Sequence, residues 1–152
     1  MDSELAKDNA MHKLKEFPTW QQIGNVLEVS YSNDYILETT EPIDRSEWEH
    51  LLKWWQRLAP EEVNEIKRAV NQIEDKALRG YIIIYYLKPP DYPTSSKPKW
   101  FRLRPNWPEV RSLLGLKSNV TRSEIEDKAL MAFARTYRHG LLESYTDTKK
   151  RS

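Results

Sequence analysis

Six polar side chains lie within seven residues of one another in the last third of the sequence. They are Lys117, Ser118, Asn119, Thr121, Arg122 and Ser123. Asparagine can form two hydrogen bonds with adenine, and arginine can form two with guanine. Serine, threonine and lysine can contact bases or phosphates. Side chains of these types at this spacing could therefore contact the bases of double-stranded DNA.

A short helix is predicted just before these residues. Pro108 suits its first turn, where a missing N–H costs nothing. Three- and four-residue spacing predicts an apolar face made of Val110, Leu113 and Leu114. Gly115 follows, at a place where a helix end often needs a left-handed residue.

A second, longer helix is predicted to begin at a T-x-x-E capping box, formed by Thr121 and Glu124. Its apolar face is predicted to contain Ile125, Ala129, Ala132, Phe133 and Thr136. A short helix, a glycine-bearing turn and a longer helix form the outline of a helix-turn-helix DNA reader. Any two-helix corner of an all-α protein has the same outline, so this pattern alone leaves both interpretations open.

The distribution of charge favours DNA. Residues 97–152 hold 13 Lys and Arg against 6 Asp and Glu, whereas the other 96 residues hold 11 against 17. A nearly neutral chain, with a net charge of +1, is therefore strongly polarised. Such asymmetry predicts nucleic-acid binding at the basic end. Within the second helix, Glu124, Glu126 and Asp127 would repel phosphate if they faced DNA.

A proline-rich stretch at 88–106 has no helical period and predicts a linker. Its second half carries cations beside two aromatic rings. A DNA-tracking arm in this stretch would contact the DNA backbone through Lys97, Lys99, Trp100, Arg102 and Arg104. An extended strand that packs its rings on the helices and leaves the cations in water explains the linker residues equally well.

The remaining sequence predicts a mainly α protein, a helical bundle with a short β-hairpin or extended segment near the N-terminus. Residues 1–16 are expected to be frayed or weakly helical, and 29–31 and 35–39 to be short strands or extended loop. The predicted regions are an N-terminal extension (1–45), a helical core (46–88), the linker (89–106), a helix-turn-helix region (107–145) and a basic tail (146–152).

Within the core, Ser46 and Glu49 form a capping box, and Pro60 is predicted at the first position of the next helix. The buried stripe of that helix is predicted to be Val63, Ile66, Val70 and Ile73. Residues 81–87 are apolar on every side and could be a buried strand or a buried helix. We favour the helix, because the segment continues a helix-forming run. Gly80 would then allow another helix to approach closely.

Catalytic and metal-binding patterns are missing from the sequence. There is no cysteine, and His12, His50 and His139 are scattered without a second ligand at metal-binding spacing. No glycine loop or nucleophile motif occurs, so we predict a protein that is not an enzyme and needs no cofactor. No apolar run approaches the roughly 20 residues of a membrane span, and the charged N-terminus has no signal-peptide pattern. These features predict a cytoplasmic protein without a membrane partner.

Three segments together resemble phage late transcriptional regulators of the ArpU type, and more distantly phage Q antiterminators and region 4 of bacterial sigma factors. They are the run AVNQIEDKALRGYIIIYYL, the helix WPEVRSLLGL and the closing motif KALMAFA at 128–134. The resemblance covers about residues 63–138. It implies a sequence-specific DNA-binding regulator of phage or prophage, a late-gene activator or antiterminator that acts with host RNA polymerase in the bacterial cytosol. It also implies that the DNA bases are contacted by Lys117, Ser118, Asn119, Thr121, Arg122 and Ser123, and that the DNA backbone is contacted by Arg102, Arg104 and Arg111.

A second hypothesis needs no DNA. The acidic N-terminal half is rich in tryptophan, and an exposed Trp54 could anchor a protein partner. On this interpretation the chain is a helical protein-interaction adaptor whose basic half is merely solvated.

Overall fold

The computed structural model describes residues 3–24, 26–39, 54–88 and 106–140. Six α-helices occur in this order: α1 Ser3–Lys15, α2 Phe17–Gly24, α3 Trp54–Asn71, α4 Lys76–Ile82, α5 Trp107–Leu113 and α6 Arg122–Thr136. A π-helical turn, Ile83–Leu87, follows α4, and a 3-10 turn, Tyr137–His139, follows α6. The prediction of a mainly α bundle is confirmed. No helix within these described ranges is long and apolar enough to cross a membrane.

Helix α1 is an integral part of the bundle. Ala6, Ala10 and Leu14 recur every four residues and are fully buried, and α1 packs against α6. The prediction that residues 1–16 are frayed or weakly helical is wrong for the described residues. Small alanine side chains let two helices approach closely, so a sequence with few large apolar residues can still bury one face.

Helices α2 and α3 pack against each other. A Cβ added to Gly24 would lie only 3.0 Å from the Pro60 nitrogen, so glycine permits this close approach. Pro60 lies inside α3, and the prediction that it begins a helix is therefore wrong. Proline removes one backbone hydrogen bond there, but its neighbour Ala59 and nearby Val63 are both fully buried, which stabilises the continuous helix. The predicted capping box at 46–49 lies outside the described residues.

The predicted apolar stripe of α3 is confirmed. All four of its residues are at most 3% exposed: Val63, Ile66, Val70 and Ile73. They belong to one core cluster that also contains residues of α1, α4 and α6.

Residues 26–39 form an extended segment on the surface of the bundle. Its single antiparallel bridge joins Tyr31 to Leu37, so the extended-loop alternative describes it better than two strands. The Asn71 side chain of α3 pairs with both backbone groups of Leu37, at 2.7 and 2.9 Å. Arg79 of α4 donates to the Asp34 carbonyl at 2.9 Å. Side chains of α3 and α4 thus bond to backbone groups of this segment that a neighbouring strand would otherwise pair with.

The apolar run at 81–87 is helical, as predicted. Tyr81, Ile82 and Ile83 are fully buried, and the Lys88 N–H donates to the Ile83 carbonyl at 2.7 Å in the π-helical register. A Cβ on Gly80 would overlap the Leu114 side chain at the end of α5. Glycine therefore allows the close approach that the sequence predicts.

Candidate nucleic-acid interface

The six predicted base-contacting residues lie together at the start of α6. Ser118 and Asn119 form a turn, Thr121 is the N-cap residue, and Arg122 and Ser123 begin the helix. All six side chains are exposed, including that of Lys117. We call residues 117–123 the polar end of α6.

Local hydrogen bonds fix the connection from α5 to this polar end. Gly115 has a φ of 72°, as predicted. The N–H of Gly115 donates to the Ser112 carbonyl at 3.1 Å, and that of Leu116 to the Arg111 carbonyl at 3.0 Å. This pair of bonds is a Schellman motif, which satisfies the last carbonyls of α5.

The start of α6 is capped as predicted. Thr121 Oγ1 accepts from the Glu124 N–H at 3.3 Å. Trp107 Nε1, at the start of α5, donates to the Val120 carbonyl at 3.2 Å. The backbone on both sides of the turn is therefore held in place while the polar side chains stay in solvent.

The opposite face of α6 is packed into the bundle. Its buried residues are Ile125, Ala129, Leu130, Phe133 and Ala134. Ala132 and Thr136 of the predicted face are partly buried.

On α5, Val110 is buried and Leu114 is partly buried, but Leu113 is 66% exposed and its predicted place on the apolar face is wrong. Helix α5 is only two turns long, so a small rotation about its axis moves one residue of the stripe outward.

Two of the three acidic residues of α6 interact with the bundle. Glu126 accepts from the Tyr81 hydroxyl at 3.1 Å and the Tyr86 hydroxyl at 2.8 Å. Asp127 lies 3.4 Å from Lys7 Nζ of α1. Burial, together with the Glu126 carboxylate, raises the pKa of both tyrosines, so they donate as neutral hydroxyls. Glu124 stays exposed in the first turn of α6.

An aromatic group lies beside the polar end. The Arg122 guanidinium is 5.8 Å from the centre of the Tyr85 ring. Tyr85 stacks on Tyr81 at 4.5 Å, and Tyr81 makes an edge contact with Trp107 at 6.3 Å. Sequence reasoning missed this group because its members lie on three different elements.

The predicted backbone-contacting set is described only in part. Arg111 is half-buried on α5. The other five residues lie outside the described residues: Lys97, Lys99, Trp100, Arg102 and Arg104. The Trp54 side chain also lies outside the described part of the chain.

A buried polar network holds the opposite end of α6. The Glu62 carboxylate of α3 accepts a short hydrogen bond from Tyr137, and a 2.8 Å bond from Arg138. Lys13 of α1 approaches the same carboxylate to 3.2 Å. Arg138 adopts a positive φ of 45° to reach it. Arg138 is therefore paired with the bundle and is not a freely solvated charge.

Charge and burial compete at Glu62. Burial pushes the pKa of its carboxyl upward, but the Tyr137 hydrogen bond and the charges of Lys13 and Arg138 hold the pKa below the ordinary 4.5. The same network raises the pKa of Tyr137 through burial and the Glu62 hydrogen bond. No spacing in the sequence indicates the network, since residues 62 and 137 are 75 positions apart.

An open groove of about 700 Å³ lies beside the end of α5. Its apolar lining includes Tyr31, Tyr35, Leu113, Leu114 and Leu116. Within 3–24, 26–39, 54–88 and 106–140, no three His, Asp or Glu side chains are grouped in a way that could hold a metal ion.

Comparisons with protein-family models, curated proteins and solved structures found no match.

Proposed function

We propose that this chain is a sequence-specific DNA-binding transcriptional regulator that contacts the major groove with the polar end of α6. The observation that carries the proposal is the contrast between the exposed N-terminal end of α6 and its buried apolar face. Its first turn and the preceding turn expose six polar side chains, whereas its apolar face is buried. A helix that is anchored on one side and presents its N-terminal residues to solvent can enter a groove about 12 Å wide.

The acidic residues of α6 are compatible with this role. Glu126 is hydrogen-bonded to Tyr81 and Tyr86, and Asp127 is paired with Lys7. Two of the three carboxylates that would repel phosphate thus interact with the bundle. Glu124 would remain near the major groove of the DNA, where a carboxylate can accept a hydrogen bond from cytosine N4.

Each residue type supports a distinct contact. Asn119 and Arg122 are suited to bidentate pairing with adenine and guanine. Lys117 and the hydroxyl residues Ser118, Thr121 and Ser123 add single hydrogen bonds. Arg111 and the basic linker would hold phosphates and fix the register without reading sequence.

The resemblance to phage late regulators supports host RNA polymerase as a second partner. In that arrangement the basic C-terminal part binds promoter DNA, and the acidic N-terminal part, with 17 Asp and Glu against 11 Lys and Arg, faces the polymerase. The cytosol of a bacterial host is the compartment that this role requires.

A salt-dependence experiment tests the proposal. The full chain is titrated with random-sequence duplex DNA over a series of salt concentrations, and binders are then selected from a random pool. We expect affinity to fall steeply as salt rises, because phosphate contacts release counterions, and we expect one enriched motif. No binding at low salt would refute the proposal, and a steep slope without enrichment would refute its sequence specificity.

One observation favours a protein-interaction adaptor as a second candidate. Leu113 is 66% exposed and Tyr31 is 39% exposed, and both line the open groove beside α5. Exposed apolar residues in a groove are typical of protein contacts. An adaptor would show no DNA affinity, and replacing Leu113 with a charged residue would then abolish its binding to the protein partner.

A further inference from the structure

Arg122 is the cation of the polar end that contacts an aromatic ring. Its guanidinium carbon lies 5.8 Å from the centre of the Tyr85 ring, within the range of a cation–π interaction. Arg122 itself is exposed, whereas Tyr85 is half-buried in the π-helical turn. The Tyr85 ring therefore restrains the Arg122 side chain, which is otherwise surrounded by solvent.

Contacts with the bundle fix the position of the Tyr85 ring. Tyr85 stacks on Tyr81 with ring centres 4.5 Å apart and planes 25° apart. Tyr81 is fully buried, and its hydroxyl donates to Glu126 at 3.1 Å. Trp107 closes the other side with its edge contact to Tyr81. The position of the Tyr85 ring is thus set by α4, α5 and α6 together.

A fixed ring matters because an exposed arginine has many rotamers. Ordering such a side chain costs rotamer entropy, and a guanidinium that is already oriented loses less of it when it binds. Two parallel hydrogen bonds to guanine O6 and N7 require the guanidinium plane to be correctly directed. A ring that restrains Arg122 before binding would therefore improve discrimination more than it improves general affinity.

We propose that Tyr85 is a positioning residue that orients Arg122 for a guanine, and that it thereby sets the preference for one G·C base pair. The proposal rests on the DNA-binding function proposed above. It adds a specificity determinant outside the predicted helix-turn-helix region, in the turn that follows α4. π-helical turns occur frequently at functional sites.

The test uses Tyr85→Leu, which removes the aromatic ring, and Tyr85→Phe, which keeps it. Both variants are made in the full chain, alone and combined with Arg122→Ala. Binding is measured to the selected duplex and to a panel of duplexes in which each G·C pair is replaced in turn. Thermal unfolding shows whether each variant stays folded.

We expect Tyr85→Leu to reduce discrimination at one G·C pair by about three- to fivefold, the size of an exposed cation–π interaction. Affinity for random DNA and its salt dependence should be unchanged. Tyr85→Phe should keep the discrimination of the wild type. In the Arg122→Ala background, Tyr85→Leu should have no further effect, because the residue through which it acts is gone.

Three results would overturn the inference. If Arg122→Ala relaxes one base pair but Tyr85→Leu does not, Tyr85 has no positioning role, while the proposed function stands. If Tyr85→Leu weakens binding to every duplex equally and lowers the melting temperature, its role is only structural. If no duplex is enriched by selection, the proposed function itself fails, and this inference fails with it.

Discussion

At its first turn, α6 places Arg122 and Ser123 in solvent, whereas its last residues are tied to α3. There the Thr136 hydroxyl donates to the Ala69 carbonyl at 2.7 Å, and Tyr137 and Arg138 both bond to the buried Glu62 carboxylate. The two ends carry the same kinds of residue, a threonine and an arginine. Their surroundings make one end a contact surface and the other an anchor.

Basic residues at the two ends of α6 therefore need not share a role, even though Arg138 follows the helix by only two residues. Arg122 and Arg138 are indistinguishable in composition or net charge. Arg138 neutralises a carboxylate that is 9% exposed, whereas Arg122 rests on the face of an aromatic ring at the surface. A count of cations therefore overstates the part of the chain that is available to DNA.

Removing the anchor should have the largest effect. Glu62→Ala leaves Tyr137 without its acceptor and Arg138 without its carboxylate, whereas Lys13 keeps its second pair, with Glu16. Breaking a buried charged pair typically costs about 3–5 kcal/mol, and we expect the free energy of unfolding to fall by about 3 kcal/mol in a urea titration. Glu65→Ala is the control, since its i,i+3 pair with Arg68 is at the surface and contributes less than about 1 kcal/mol. Equal effects of the two variants would contradict the anchor.

At the opposite end we expect a change in binding and not in stability. Arg122→Ala should weaken binding to a selected duplex by about 1–3 kcal/mol, the contribution of one bidentate base contact. Arg135→Ala removes the same charge near the other end of α6 and should leave base-pair preference intact. Gel-shift titrations of both variants provide the comparison. If Arg122→Ala binds the selected duplex as tightly as the wild type, the proposal that this end of α6 reads the DNA sequence is contradicted.

The cap at the polar end should contribute less. Thr121→Ala loses the hydrogen bond to the Glu124 N–H, and we expect a loss of about 1 kcal/mol in stability. Thr121→Ser keeps a hydroxyl and should retain most of it. Hydrogen exchange should speed up at the Glu124 amide in the alanine variant and stay slow at the Phe133 amide. Uniform acceleration along α6 would contradict a local role.

Acid should weaken the anchor at Glu62. Because the pKa of Glu62 is lower in the folded chain than its ordinary 4.5, its contribution is present above about pH 4.5 and is lost as the pH falls through the folded pKa. Glu62→Gln has no such titration. The stability difference between wild type and Glu62→Gln should therefore shrink as the pH is lowered from neutral to values below 4.5. A difference that stays constant over this range would contradict the charge network.

Local signals made much of the fold predictable. The left-handed Gly115, the Thr121 cap and the buried stripe of α3 depend on neighbours within one or two turns. The sequence therefore contains all the information needed to place them. The start of α6 and its exposed polar residues were found in the same way.

Contacts between distant segments were not predictable from one sequence. The Glu62–Tyr137 bond and the Tyr85–Arg122 contact join residues that are 75 and 37 positions apart. Some local predictions also failed, because packing overrode propensity or, at Leu113, because the short helix α5 turned that residue outward. Pro60 lies within α3, and the small residues of α1 are buried against α6.

On the proposed function, the polar end of α6 contacts DNA and its anchored end does not. The two ends can be separated by the amide chemical shifts of the isotope-labelled chain, recorded while a short DNA duplex is added. We predict that the perturbed amides concentrate at residues 117–123 and that those at 136–138 stay unchanged. Perturbation centred on the anchored end, on the groove lined by Tyr31 and Leu113, or nowhere in the described ranges would contradict the claim.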